Sequence, residues 1–263
     1  MRNTLISLFI VLIAVFGVYH FEKYTKPQKL PSLKGEVIGV APDFSLINDI
    51  PQRKEALFGY LKPGVLYENS RILQQRAILK RIQKEFSAGQ VSSEHLKQAQ
   101  HLAKAYWVEL PEGKIDQVWL HEMLLRVDVI PEALVLTQAA NESAWGTSRF
   151  AREANNYFGQ WCYRPGCGVI PLARSSGSTH EVAKFDSVQD SIRGYFMNVN
   201  RHKAYQELRE IRLQLRQQKI NPITDQSAYA MSYGLLKYSE RREAYVQDLQ
   251  AMMSSNQQYF SVN

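Results

Sequence analysis

The stretch Pro131-Glu-Ala-Leu-Val-Leu-Thr-Gln-Ala-Ala-Asn-Glu142-Ser-Ala-Trp145-Gly146 is the most informative part of this sequence. Its apolar residues recur at the three-to-four spacing of a helix, and Gly146 is typical of the position just after a helix end. Glu142 follows Ala139 by three residues and therefore lies on the apolar stripe. Burial beside Trp145 would favour the neutral carboxyl group and raise its pKa. The pattern predicts a proton donor, although a glutamate near a helix end more often turns out to solvent.

The same helical periodicity extends over most of the chain, and one segment interrupts it. The predicted helices cover residues 69–88, 92–107, 114–127, 131–144, 187–200, 203–218, 225–236 and 241–254. The helix from Ser187 begins with the capping signal Ser187-x-x-Asp190. Between Cys167 and Ser187, two short extended runs flank a Ser/Gly turn, which is typical of a β-hairpin. We therefore expect a mainly α fold: a lysozyme-like α-helical domain with a small inserted β-hairpin lobe.

The N-terminus indicates where the protein is sent. Arg2 precedes an apolar run from Leu5 to Tyr19, which is the pattern of an export signal. No small-x-small cleavage site follows, so residues 1–21 are predicted to be either a signal peptide or a signal anchor in the inner membrane. In both cases the rest of the protein would lie in the periplasm.

The remaining 242 positions divide by composition into three regions. Residues 22–43 are rich in Pro, Lys and Gly, and we expect a linker with few contacts. Residues 44–110 form a helical region whose role the sequence does not indicate. Residues 111–263 carry the motif helix and the β lobe, and we expect them to be the catalytic domain.

The composition excludes several classes of protein. Hydrophobic residues make up 45% of the chain and charged residues 22%, which is typical of a globular protein and not of a disordered or collagen-like one. The formal net charge of +7 would attract polyanions, but the basic residues are scattered along the sequence. Neither a zinc-finger spacing nor an RNP signature occurs, so we expect no nucleic-acid partner. The sequence also lacks a phosphate-binding glycine loop and a metal-ligand spacing, so we expect no cofactor and no metal.

The two cysteines lie close together in Cys162-Tyr-Arg-Pro-Gly-Cys167. In an exported protein, a Pro-Gly turn of this length can bring them within disulfide distance, and the alternative is two buried thiols. A cysteine peptidase built on Cys162 and His180 is a further alternative, which a disulfide between the cysteines would exclude.

The motif helix and several later segments together resemble a known family. Gln138-Ala-Ala-Asn-Glu142-Ser-Ala-Trp-Gly146-x-Ser148-x-Phe150-Ala151, followed by Asn155-Asn-Tyr-Phe-Gly159, is similar to the signature of glycoside hydrolase family 73. Lys184-Phe-Asp-Ser187 and Tyr238-Ser-Glu-Arg-Arg-Glu-Ala-Tyr245 resemble later segments of that family, in the same order. The resemblance extends from Lys114 to Ser254 and points to a periplasmic branch.

This resemblance implies an activity and a substrate. The family consists of bacterial β-N-acetylglucosaminidases, so the chain would be an endo-β-N-acetylglucosaminidase that hydrolyses the β-1,4 bond after N-acetylglucosamine in peptidoglycan glycan strands. We expect it to act as a monomer. The alternatives are a lytic transglycosylase, an N-acetylmuramyl amidase, or a non-catalytic module that binds the cell wall.

The resemblance also implies roles for single residues. Glu142 matches the catalytic glutamate and would protonate the departing oxygen, and Tyr238 matches the tyrosine that faces it. Tyr238 could equally be a core tyrosine, and Tyr245 could bind substrate or pack the last helix. For a second acid, Glu181 on the hairpin is the candidate and Asp186 its rival; alternatively the 2-acetamido group of the substrate acts as nucleophile.

Aromatic residues around the motif are candidates for stacking on sugar rings. They are Trp145, Tyr157, Phe158, Trp161, Tyr163 and Tyr245. Aromatic side chains more often fill a core than bind a ligand, so each of these has a structural alternative.

Overall fold

The computed structural model describes residues 30–260 except residues 173, 175, 176 and 178. Within that part the chain forms α1 (Ile50–Ser87), α2 (Ser93–Tyr106), α3 (Gln117–Arg126), α4 (Glu132–Glu142), α5 (Arg149–Ala154), α6 (Val188–Arg201), α7 (Gln206–Gln217), α8 (Asp225–Ser232), α9 (Glu243–Ser255) and α10 (Gln257–Phe260). Short 3-10 helices cover Phe44–Leu46, Pro111–Gly113, Lys203–Tyr205 and Tyr233–Leu235. The chain from Pro31 onward is one compact unit. The predicted mainly α fold is confirmed.

The predicted signal segment, residues 1–21, lies outside the described residues. Across residues 30–260, apart from the four gaps, none of the helices combines the length and the apolar character needed to cross a membrane.

A three-stranded antiparallel sheet forms the small β lobe between α5 and α6. Its strands are β1 (Trp161–Cys162), β2 (Gly168–Val169) and β3 (Glu181–Ala183), in the order β1-β3-β2. Trp161 pairs with Val182, and Gly168 pairs with Ala183. The predicted hairpin corresponds to β2 and β3. Strand β1 was not predicted, because two residues carry no readable alternation.

Helix α4 lies at the centre of the helical body. Its residues from Ala133 to Ala140 are all buried, and α1, α8, α9 and α10 pack against it. A helix that is covered on every side needs apolar residues around its whole circumference. This explains why Ala, Leu and Val fill the motif helix almost without interruption.

Helix α1 begins far earlier than the periodicity predicts. The sequence indicates a helix from Asn69, whereas α1 starts at Ile50, where the Asp49 side chain accepts a hydrogen bond from the amide of Gln52. Pro63 lies inside the helix and interrupts its pattern. A side chain at Gly64 would approach the Gln189 amide oxygen of α6 to 2.6 Å, so glycine allows the two helices to touch here.

The segment before α1 is packed against the body, so the expectation of few contacts is wrong for its described part. The amide of Glu36 donates to the Pro63 carbonyl oxygen (3.3 Å), and the amide of Ile38 donates to the Gln189 side chain (3.3 Å). The hydroxyl of Tyr60 donates to the carbonyl of Gly39 (2.7 Å). These bonds connect the segment to α1 and α6.

The connection between α3 and α4 is bound by three arginines: Arg76, Arg212 and Arg216. Arg212 of α7 is 1% exposed and donates to the carbonyls of Leu125, Asp128 and Val129 at 2.9 Å each, and also to that of Arg126 (3.3 Å) and to the Asn200 amide oxygen (2.8 Å). Arg76 of α1 donates to the carbonyls of Leu124 (2.6 Å) and Val127 (2.8 Å). These bonds satisfy carbonyl groups that the end of α3 leaves without helical partners.

The carboxylate of Asp128 neutralises part of this positive charge. Asp128 is 2% exposed, pairs with both nitrogens at one edge of the Arg216 guanidinium group, and lies 3.3 Å from Arg76. Burial alone would raise the pKa of Asp128, but the hydrogen bonds from Arg216 and the charges of Arg212 and Arg76 outweigh it and lower the pKa. The carboxylate is therefore ionised in the folded protein.

We expect Asp128→Asn to lower the free energy of unfolding by about 3 to 5 kcal/mol, because the buried guanidinium group of Arg76 and the partly buried one of Arg216 would lose their counterion. Since the pKa of Asp128 is lowered by folding, its contribution to stability is present above the unfolded pKa and is lost as the pH falls through the folded pKa. Urea unfolding at several pH values measures both effects.

The matched control is Asp248→Asn. Asp248 pairs with Arg241 at the surface, where the two side chains are 50% and 59% exposed, so its loss should cost no more than about 1 kcal/mol. Equal and small losses in the two variants would contradict the role of Asp128.

Candidate active site

Glu142 is the last residue of α4, and an unusual turn follows it. Ala144, Trp145 and Gly146 all adopt left-handed backbone conformations, with φ of 50°, 58° and 77°. The buried Ser143 hydroxyl accepts from the amide of Gly146 at 2.8 Å and fixes this turn. The helix therefore stops directly after Glu142, and the carboxyl group lies at the rim of the core instead of inside it.

Gly146 has a second constraint, which comes from the N-terminal region. A side chain at this position would approach the ring of Phe44 to 2.5 Å, and Phe44 is fully buried. The region from residue 44, whose role the sequence did not indicate, thus supports the turn that carries the candidate acid.

The two oxygens of Glu142 have different surroundings. Oε1 accepts from the Tyr245 hydroxyl (2.9 Å) and from the Asn141 side-chain amide (3.1 Å). Oε2 accepts no hydrogen bond from the described residues. A side chain at Gly159 would come within 3.6 Å of Oε2, so glycine keeps the approach to this oxygen open.

The pKa of Glu142 is raised above its ordinary value. Burial is the largest cause, and the hydrogen bonds from Tyr245 and Asn141 pull the pKa down without cancelling it. The carboxyl group is half-buried, and its hydrogen-bond donors are neutral. This arrangement keeps the proton on Glu142 to higher pH, which a general acid requires.

Tyr245 and Tyr238 have different hydrogen-bond partners. Tyr245 of α9 is 3% exposed and donates to Glu142. Tyr238, which the resemblance places opposite Glu142, donates instead to the carbonyl oxygen of Phe158 (2.7 Å). Its ring stacks on that of Tyr245, with centroids 5.5 Å apart and planes 5° from parallel. Tyr238 therefore contacts Tyr245, the residue that donates to Glu142.

Two of the aromatic candidates are core residues. Tyr157 and Phe158 are each 1% exposed, and the Phe158 ring stacks on Tyr195 of α6 with centroids 4.3 Å apart. In this structure neither ring has a face free for a sugar, so the expectation of substrate stacking is wrong for both. Sequence alone could not separate these rings from ligand-binding ones, because core and ligand sites favour the same residue types.

Trp145 is held from two sides. Its ring meets that of Phe58 edge to face at 5.5 Å, and the Lys54 ammonium group lies 4.9 Å from its centroid. The residue is half-buried. Trp145 is part of the turn after Glu142, and these two contacts hold its ring in place.

Two of the stacking candidates are exposed, and both belong to the β lobe. Trp161 is 56% exposed and stacks on His180, with centroids 4.2 Å apart and planes 11° from parallel. Tyr163 is 70% exposed. Of the stacking candidates, these two have faces available to a ligand.

Cys162 and Cys167 are bonded to each other, with 6.2 Å between their Cα atoms. Neither sulfur is therefore a free nucleophile, which removes the cysteine peptidase alternative.

Glu181 lies under the loop that this disulfide closes. Its carboxylate accepts from the amides of Gly166 (2.9 Å) and Gly168 (2.8 Å). These backbone hydrogen bonds lower the pKa of Glu181. The residue is only 6% exposed, and burial raises its pKa, but by less than the backbone hydrogen bonds lower it. The rival candidate Asp186 is exposed.

Sequence reasoning missed Gln138, Asn141, Gly159 and Tyr195, which surround Glu142 directly or through Tyr245. A signal existed for Gln138: it lies one helical turn before Glu142 and is the polar exception on the apolar stripe. Tyr195 lies on the apolar stripe of its helix with Val188, Ile192 and Val199, and its hydroxyl partner depends on how α6 packs against α4.

Comparison with known proteins agrees with this geometry. Residues 119–258 match the family described as mannosyl-glycoprotein endo-beta-N-acetylglucosaminidase, the Glucosaminidase family. The chain is also 34% identical to "Protein bax" of Escherichia coli (strain K12) over 224 residues, which cover 84% of this chain and 76% of that protein. The comparison with solved structures gave no match.

The matched region contains Glu142, Tyr238, Tyr245 and the whole β lobe, and the similarity to the bax protein extends over most of the chain. The chain therefore belongs to the Glucosaminidase family, of the glycoside hydrolase family 73 type, and is a glycosidase-type enzyme.

Proposed function

We propose that this enzyme is an endo-β-N-acetylglucosaminidase that cleaves the β-1,4 bond after N-acetylglucosamine in bacterial peptidoglycan. The observation that carries the proposal is the state of Glu142: a half-buried carboxyl group with a raised pKa and one oxygen open to a ligand. Membership of the Glucosaminidase family supports the class of bond.

Glu142 acts as the general acid in this proposal. Its Oε2 delivers the proton to the glycosidic oxygen, and the bond between that oxygen and C1 of N-acetylglucosamine breaks. Glu142 thereby becomes a carboxylate. The hydroxyl of Tyr245, which already donates to Oε1, stabilises the negative charge as it develops.

We assign the nucleophile that displaces the glycosidic oxygen to the substrate itself. The Glu181 carboxylate accepts two backbone hydrogen bonds that hold the disulfide loop. These bonds lower the pKa of Glu181, so Glu181 is a weak base. The 2-acetamido oxygen of N-acetylglucosamine then attacks C1 as the glycosidic oxygen leaves, and a ring-closed oxazolinium ion forms. Water opens this ion while the carboxylate of Glu142 takes the water proton.

We also propose that the enzyme is exported to the periplasm. The basic and apolar N-terminal residues support export, and the disulfide is a bond that an oxidising compartment maintains. The inner membrane would hold the chain if residues 1–21 are retained.

Digestion of purified peptidoglycan tests the activity. We expect new reducing ends that carry N-acetylglucosamine, identified by mass spectrometry. Anhydromuramic acid ends would identify a lytic transglycosylase, and free stem peptides an amidase. Protein that sediments with cell walls but releases no product would identify a binding module.

Glu142→Gln should fold normally and lose at least about a hundredfold in turnover, the usual worth of a general acid. In the unmodified enzyme, kcat/KM should fall as the pH rises through the raised pKa of Glu142, because the ionised form has no proton to give. The control is Glu153→Gln, since Glu153 is exposed on α5 and pairs only with Arg149 in the described part of the chain. Rapid hydrolysis by folded Glu142→Gln would refute the assignment.

The two tyrosine variants should differ in turnover. Tyr245→Phe removes the hydroxyl that donates to Glu142 and should lower kcat by about tenfold to a thousandfold with little change in KM. Tyr238→Phe removes a bond to a backbone carbonyl and should cost mainly stability, about 1 kcal/mol. Kinetics and thermal melts of both variants decide the matter. A larger kcat loss in Tyr238→Phe would restore the role that the sequence suggests for it.

Glu181→Gln separates the two routes for the second step. If the acetamido group is the nucleophile, turnover should fall by less than about tenfold, through a loosened β lobe. A loss as large as that of Glu142→Gln, in protein whose disulfide is intact, would show that Glu181 is the base. Turnover of both variants is measured on one peptidoglycan preparation.

A further inference from the structure

A chain of hydrogen bonds runs through the core and ends at Glu142. The hydroxyl of Tyr195 donates to Oε1 of Gln138, the Gln138 amide nitrogen donates to the hydroxyl oxygen of Tyr245 (2.9 Å), and Tyr245 donates to Glu142 (2.9 Å). Tyr195, Gln138 and Tyr245 are 1%, 0% and 3% exposed. Helices α6, α4 and α9 each contribute to this chain.

With the Gln138 amide in its present orientation, the direction of every bond in this chain is fixed. Since an amide nitrogen only donates, the oxygen of Tyr245 must accept from Gln138, and its single proton is left for Glu142. Gln138 could point its oxygen at Tyr245 if its amide turned over. The Tyr195 hydroxyl opposes this, because its proton needs the amide oxygen where it now lies.

We infer that Gln138 and Tyr195 are positioning residues, which hold the Tyr245 hydroxyl on Oε1 of Glu142 and so reserve Oε2 for the reacting proton. This inference rests on the proposed role of Glu142 as the acid. It assigns a part in the reaction to two buried residues that do not touch the substrate.

The surroundings of the two carboxyl oxygens support this division. Oε1 accepts from both Tyr245 and Asn141, so a proton on Oε1 would face two donors. Oε2 accepts from none of the described residues and lies next to the space that Gly159 leaves open. The proton of the neutral acid therefore belongs on Oε2, where a leaving oxygen can approach.

Among the described residues, the titratable groups whose pKa responds to the charge of Glu142 are tyrosines. They are Tyr195 of α6, Tyr205 before α7, Tyr238 before α9 and Tyr245 of α9. Burial raises the pKa of each of them, so they remain neutral across the range in which a carboxyl group titrates. The basic limb of the pH profile therefore reports Glu142.

Tyr195→Phe tests the inference. Without that hydroxyl, the Gln138 amide can turn over and accept from Tyr245, which weakens the bond to Glu142. We expect kcat to fall about 2- to 10-fold, the worth of one hydrogen bond, with KM unchanged. The pKa of Glu142 should rise, because the bond from Tyr245 lowers it, and the basic limb of kcat/KM should move to higher pH.

The matched control is Tyr106→Phe. Tyr106 is fully buried and its hydroxyl donates to the amide oxygen of Gln75 (2.6 Å) in a pair formed by α2 and α1. Its loss should lower stability and leave the pH profile in place. An unshifted limb in folded Tyr195→Phe, or an equal shift in Tyr106→Phe, would overturn the inference.

A double variant distinguishes positioning from general destabilisation. Adding Tyr195→Phe to Tyr245→Phe should cause no further change in kcat or in the basic limb of the pH profile, because the Tyr245 hydroxyl is already absent. Additive losses would refute the inference.

Carboxyl titration by NMR, with the Glu142 signal identified from Glu142→Gln, follows the same pKa without substrate. If the unmodified enzyme fails to cleave peptidoglycan, the proposed function falls. The rise of the Glu142 pKa in Tyr195→Phe then still tests the hydrogen-bond chain by itself.

Discussion

The position of Glu142 depends on the arginine side chains that bind the connection between α3 and α4. Arg212 and Arg76 satisfy the carbonyls of residues 124–129, and Asn69 of α1 bonds both the amide and the carbonyl of Ile130. A buried carbonyl left without a donor costs about 1 to 3 kcal/mol. Only arginine offers five donors in one plane, so a single side chain can serve several carbonyls. These bonds fix the start of α4. Because the helix is rigid, they also fix the position of Glu142 at its other end.

The other end of α4 is fixed at a cost in backbone strain. Ala144 and Trp145 lie in the left-handed region, where a residue with a side chain loses about 1 to 2 kcal/mol. The Ser143 hydroxyl and the buried ring of Phe44 stabilise the turn from both sides. Because α4 ends at this turn, the Glu142 side chain is only half-buried, whereas the residues from Ala133 to Ala140 are buried. The strain therefore keeps the acid at the rim of the core, partly desolvated and still reachable.

The sequence predicts most helices and places Glu142 on the buried side of its helix, and it fails where a hydrogen-bond partner is chosen by tertiary structure. Helical periodicity is local, so α2 to α4 and α6 to α9 follow from it, whereas the six residues of α5 are too few to show it. Pro63 interrupts the pattern and hides the first half of α1. Glu142 follows from its place on an apolar stripe. The choice between Tyr238 and Tyr245 does not, because it depends on how the turn after Leu235 brings α9 against α4. The packed segment before α1 was equally hidden, since its contacts are backbone bonds to residues far along the chain.

Glu142 and Glu181 show why two carboxyl groups of the same type take different parts. The donors to Glu142 are neutral side chains, and burial dominates, so its pKa is raised. Glu181 accepts from consecutive backbone amides of a tight loop, whose dipoles point at the carboxylate, so its pKa is lowered. A carboxyl group with a raised pKa can hold and deliver a proton, and one with a lowered pKa is a weak base. A weak base activates water poorly, whereas Glu142, once it has given up its proton, is the stronger base of the two. One residue can therefore serve as acid in the first step and as base in the second, which is what a reaction assisted by the substrate's acetamido group requires.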